Sequence, residues 1–150
     1  MIGAGHDEDG PFRMVFPGES SQGSDAKRLF RILLTGITAS GRHGANPGEK
    51  DQPQEFVVDL EVVVEVAHDD VASTADYDQL VAETRRVVTE ESYDLIESLA
   101  QTIAGTLFEQ DDDVMQVIST VHKPGAAAVL GIEDVAVEAM FPPAGDGTEP

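Results

Sequence analysis

No cysteine occurs in the 150 residues, which excludes disulfides, thiolate nucleophiles and Cys-ligated zinc. Tryptophan is missing and aromatics amount to 5%, so any core has to be built from aliphatic side chains. No apolar run approaches the ~20 residues of a membrane span. The first residues, MIGAGHDEDGPF, are acidic and lack the apolar stretch of a secretory leader. A soluble, cytoplasmic protein is the expectation. Basic residues are scarce as well: 9 against 29 acidic ones, a net charge of −20. Such a chain repels nucleic acid and anionic membranes, so neither is expected as a partner. Lysine stands only at Lys27, Lys50 and Lys123, which leaves few candidates for chemistry that needs an amine.

What is present suffices for one domain, with 41% hydrophobic residues. Residues 1–27 are rich in Gly, Ser, Asp and Glu without an apolar period, and predict a disordered acidic tail. Residues 142–150, PPAGDGTEP, predict a second, shorter one, leaving a folded body over 28–141. The body opens with LFRILL (29–34), a strand. In FVVDLEVVVEV (56–66), Phe56, Val58, Leu60, Val62, Val64 and Val66 share one parity while Asp59, Glu61 and Glu65 take the other. That alternation predicts a strand with one buried face. Asp76 followed by Gln79 resembles a capping box, and Leu80, Thr84, Val87 and Val88 then recur at helical spacing. A second helix from about Ser92 carries the stripe Ile96, Leu99, Ala100, Ile103 and Leu107. Strand character returns over 114–122 and 134–141, with KPGAAAVLGI as a long connection between them. The fold class is α+β: an antiparallel four-stranded sheet in ββααββ order with two helices on one face. Its open edges need covering or pairing.

Between the first two strands lies RHGANPGEKDQPQEF (42–56). A phosphate-binding glycine loop runs from a strand into a helix, but this one runs into a strand. His6, His43, His68 and His122 show no H-x-H or H-x-x-x-H spacing, so no metal site is expected. Loops of this length inside a compact domain are uncommon and often functional.

Four pieces in order give the chain a wider likeness. They are His43, Gly44 and Glu49 followed by Gln54, Phe56, Val58 and Asp59; Thr74 and Tyr77 before a helix; DLIE-x-LA-x-x-IA from Asp94 to Ala104; and Val121, Lys123 and Pro124 closing a strand. Together they resemble the dihydroneopterin aldolases of folate biosynthesis over roughly residues 29–141. The resemblance implies the tunnelling fold, in which subunits join sheet edges into a barrel as a homo-tetramer or homo-octamer with active sites between neighbours. It implies cleavage of 7,8-dihydroneopterin into 6-hydroxymethyl-7,8-dihydropterin and glycolaldehyde, with no cofactor and no metal, because the conjugated N5=C6 imine of the substrate accepts the electrons.

By the same resemblance Glu97 holds the amino and ring N–H edge of the pterin, with Ile96, Ala75 and Asp76 also binding substrate. Lys123 shuttles protons, the Tyr77 hydroxyl donates one in the second half-reaction, and Glu49 contacts the substrate side chain or its catalytic water. The chain departs from the family pattern in four places, one being its end, EAMFPPAG, which lacks the basic residue often found after the last strand. AHDDVASTAD, between Val66 and Tyr77, is short. Pro53 replaces a glycine before Gln54. An Ala-rich run replaces a Pro-rich loop after Pro124. Related functions stay open at this level: an epimerase of dihydroneopterin or its triphosphate, a non-catalytic pterin-binding ring protein, and a purely structural acidic ring.

Overall fold

The computed structural model describes residues 27–70 and 74–143. The tails expected over 1–27 and 142–150 fall outside them, apart from residues 27, 142 and 143. Strand β1 (Arg28–Gly41) and strand β2 (Gln54–Val66) form an antiparallel pair. Helices α1 (Tyr77–Glu90) and α2 (Ile96–Glu109) follow, then β3 (Val114–His122), a short helix α3 (Pro124–Leu130) and β4 (Ala136–Phe141). The sheet order is β1-β2-β3-β4, antiparallel throughout, with β1 and β4 as its edges.

The parity seen in β2 is the one the fold uses. Phe56, Val58, Leu60, Val62 and Val64 are buried, and they pack with Leu80, Val87 and Val88 of α1 and Leu99, Ala100, Ile103, Ala104 and Leu107 of α2. Each fully buried Val, Leu, Ile or Phe side chain among them contributes about 1.5–3 kcal/mol. The opposite face carries Asp59, Glu61 and Glu65. Arg31 of β1 pairs there with Glu61 at 2.8 Å.

β1 extends past residue 34 to Gly41 because a bulge lets the chain re-enter register. Leu34 pairs with Leu60 and Ile37 with Val58, so two residues stand opposite Asp59. One of them, Gly36, has φ 79°, a value that favours glycine, and its N–H donates to Asp59 Oδ1 at 2.8 Å.

Three sequence expectations need correction. The long connection shrinks to residues 42–53 and contains a 3₁₀ turn at Glu49–Asp51. The second helix starts at Ile96, not near Ser92: the Ser92 hydroxyl donates to Arg42 O at 2.7 Å and Tyr93 N–H to His43 Nδ1 at 3.1 Å, so both residues hold the loop. The stretch after Lys123 is a helix. Pro124 suits a first turn, where no intrahelical donor is needed, and Gly131 in the left-handed region (φ 74°) ends it.

Candidate active site

The 42–53 loop returns to the sheet through a buried histidine. His43 has no exposed surface. Its Nε2–H donates to Val88 O at 2.8 Å and its Nδ1 accepts from Tyr93 N–H, so the ring is a neutral tautomer with both nitrogens engaged. Burial pushes its pKa below the ordinary 6.5, against the opposing bond to Val88. A ring bonded in this way has no lone pair left for a metal. Its role is to lock the loop against the end of α1 and the start of α2, which Gly44 N–H reinforces by donating to Tyr93 O at 3.0 Å.

On that base sits Glu49. Gly44 lies so close to its carboxyl that a Cβ would stand 2.1 Å from Glu49 Cδ, so a side chain there would displace the Glu49 carboxyl. Asn46 N–H donates to Glu49 Oε1 at 3.1 Å, and Gln54 Nε2 donates to Oε2 at 3.2 Å and also to His43 O at 3.3 Å. Lys123 Nζ lies 2.6 Å from Glu49 Oε2, both side chains mostly buried. The ammonium bond, opposed by burial and joined by Asn46 and Gln54, holds the Glu49 carboxyl below its ordinary 4.5.

Lys123 arrives from the far end of β3. Its N–H donates to Val135 O at 2.8 Å, and its carbonyl accepts from Ala126 and Ala127 as the N-cap of α3. Ile96 and Glu97 open α2 near the same end of the sheet, where Lys50 pairs with Asp94 at 2.6 Å. Ile96 is half-buried against the core, and Glu97 is exposed.

The other predicted residues lie elsewhere. Ala75 is buried, while Asp76 caps α1 by accepting from Asp78 N–H at 2.9 Å. Tyr77 is 55% exposed. It lines an open depression of about 640 Å³ with Phe30, Leu34, Val64 and Val66, next to a hollow of about 430 Å³ formed by residues 74–78. The depression touches the C-terminal end of β2, whereas Gln54, beside Glu49, begins that strand. Roughly ten strand residues, about 30 Å, separate the two ends. One chain therefore assembles Glu49, Lys123, Ile96 and Glu97 at one end and Ala75, Asp76 and Tyr77 at the other. Gln54, Asn46 and Gly44 were not singled out as site residues from the sequence; Gln54 and Gly44 did appear among its motifs.

The Glu49–Lys123 pair, a mostly buried carboxylate and ammonium steadied by amide donors, is arranged to exchange a proton. Comparison with known proteins points the same way. The family model described as FolB, dihydroneopterin aldolase, matches residues 32–140. A dihydroneopterin aldolase of Streptomyces coelicolor is 35% identical over 111 residues, covering 71% of this chain and 92% of that protein. One from Methylorubrum extorquens is 30% identical over 112 residues, covering 72% and 86%. Among solved structures, Escherichia coli dihydroneopterin aldolase in complex with neopterin superposes with a TM-score of 0.62 at 20% identity, covering 74% of this chain and 97% of that one. This last likeness concerns the fold.

Proposed function

The chain belongs to the dihydroneopterin aldolase family, and we infer that it performs that lyase reaction on 7,8-dihydroneopterin with the Glu49–Lys123 pair at its centre. The side-chain 2′-hydroxyl loses its proton, the C1′–C2′ bond breaks, and glycolaldehyde leaves. The bonding pair moves to C6–C1′ as N5 takes a proton. Reprotonation at C1′ and loss of the N5 proton give 6-hydroxymethyl-7,8-dihydropterin. Because the substrate carries its own electron sink, orientation and proton transfer are what the protein has to supply.

The single observation that carries this reading beyond family membership is the 2.6 Å contact between Lys123 Nζ and Glu49 Oε2. It supports a shared role at the substrate side chain: Glu49 orders the 2′-hydroxyl or a water beside it, and Lys123 relays protons through that water. Glu97 accepts from the pterin amino and ring N–H groups, and Ile96 gives the ring an apolar edge. Tyr77, Ala75 and Asp76 come from a second copy. The two ends of one sheet cannot meet, and the open edges β1 and β4 need partners. A homo-tetramer or homo-octamer built through those edges satisfies both requirements.

The test is direct. Incubation with 7,8-dihydroneopterin in EDTA yields 6-hydroxymethyl-7,8-dihydropterin and glycolaldehyde in equal amounts. Dependence on an added divalent ion refutes the mechanism, and epimerised substrate without glycolaldehyde refutes the reaction.

A further inference from the structure

A second charged group stands one residue from Lys123. His122 ends β3 on the face away from the helices, with 23% of its side chain exposed. Its Nε2 lies 2.8 Å from Asp59 Oδ2 and its Nδ1 2.9 Å from Asp134 Oδ2. A neutral imidazole has one N–H and one lone pair, so it can satisfy one carboxylate only by turning a lone pair on the other. Two carboxylates at these distances require both nitrogens to donate.

The bracket is anchored on both sides. Asp59 is held by Gly36 N–H at the bulge of β1. Asp134 directly precedes Val135, whose carbonyl receives the N–H of Lys123. The two ring bonds thus pin both feet of the excursion from residue 123 to 135, which contains α3 and begins at Lys123. We propose that His122, held as an imidazolium between Asp59 and Asp134, is a positioning residue that sets the backbone of Lys123 and so the reach of its amine to Glu49. Only the catalytic consequence rests on the function inferred above.

The charged groups around the ring are few. Asp59 faces it from β2 and Asp134 from the segment before β4. Further along the same face Glu61 is paired with Arg31, and Glu138 of β4 accepts from Thr120 at 3.5 Å. Burial alone lowers the His122 pKa, but the bonds and charges of Asp59 and Asp134 outweigh it, so the net shift is upward from 6.5. Above that raised value one bond of the bracket is lost.

The experiment is an NMR pH titration of the full chain, following the His122 ring and the Lys123 ε-CH₂ signal. Both His122 nitrogens are protonated at pH 6.5, and the Lys123 signal shows an inflection at the His122 midpoint. His122→Gln, which donates to one carboxylate only, shifts the Lys123 signal. It lowers kcat by roughly ten- to a hundredfold, as a misplaced reacting group does, with KM close to wild type. Adding Asp134→Asn gives the side-chain carbonyl of the introduced glutamine a donor and restores both. A neutral ring at pH 6.5 overturns the proposal. So does a Lys123 signal that ignores the His122 midpoint in the wild type, which decides the matter even if the single variant fails to fold. If the wild type cleaves no dihydroneopterin, the function inferred above fails while the Lys123 signal still decides the positioning role.

Discussion

The amine of Lys123 and the carboxylate of Glu49 meet at 2.6 Å, joining the end of β3 to the loop that precedes β2. The contact holds the Glu49 carboxyl below its ordinary range, and in the proposed mechanism the lysine is the group that relays the proton. Lys123→Ala should lower kcat by the ~10²–10⁴ typical of lost acid–base catalysis, with a smaller effect on pterin affinity. Lys123→Arg should not restore the rate, because a guanidinium does not release its proton near neutral pH. Borohydride added during turnover should trap no adduct. A reduced lysine–substrate species, seen by mass spectrometry, would show that the pterin is not its own electron sink.

Glu97 stands exposed in the first turn of α2, as a group awaiting a ligand would, and also as an ordinary surface glutamate would. Titration with a pterin analogue separates the two. Glu97→Ala should raise Kd by ~10-fold or more, the loss of at least one charged hydrogen bond. Unchanged affinity would return Glu97 to the solvated surface.

His43 gives a stability prediction with a defined sign. It is neutral in the fold with its pKa below 6.5, and it is free to charge when unfolded. The unfolded chain therefore binds more protons below pH 6.5, and stability falls with pH from there until the folded value is reached. His43→Phe should abolish that dependence. It should also cost about 1–3 kcal/mol for each buried backbone group left unpaired, the carbonyl of Val88 and the N–H of Tyr93. Urea unfolding at pH 5.5 and 7.5 measures both effects. A wild type whose stability rises on acidification through this range would contradict the buried neutral ring, unless His122, which acts with the opposite sign, dominates. The His122→Gln background separates the two.

The strand order and the buried parity of β2 were legible because alternation needs nothing but local sequence. The start of α2 was not. Ser92 and Tyr93 carry no helix-breaking signal and are diverted by partners, Arg42 and His43, far away in the chain. Helix α3 was hidden by Pro124-Gly125, which reads as a turn although a first helical turn accepts proline. Glu49 and Lys123 were joined only by the family likeness, since no local pattern links them. The His122 bracket had no signal at all: it depends on the diagonal between β2 and β3 and on where the α3 excursion lands.

The last prediction concerns the split site. Glu49 and Lys123 sit at one end of the sheet and Tyr77 at the other, so the proposed reaction centre, if it uses all three, draws on two copies. A chain with Lys123→Ala and a chain with Tyr77→Phe should each be nearly inactive. In mixed oligomers roughly a quarter of the sites draw both intact halves, so comparable activity should return if subunits pair at random. Exchange can be driven by salt. A charge of −20 per chain repels at close range, and raising ionic strength to ~0.15 M shortens the Debye length to ~8 Å. Lowering the salt should loosen the rings, and restoring it should close them with mixed membership, as sedimentation will report. Activity that never returns in rings shown to be mixed would mean that each chain completes its own site. A stable monomer of about the chain mass, 16.0 kDa, at micromolar concentration and physiological salt would remove the interfacial site altogether.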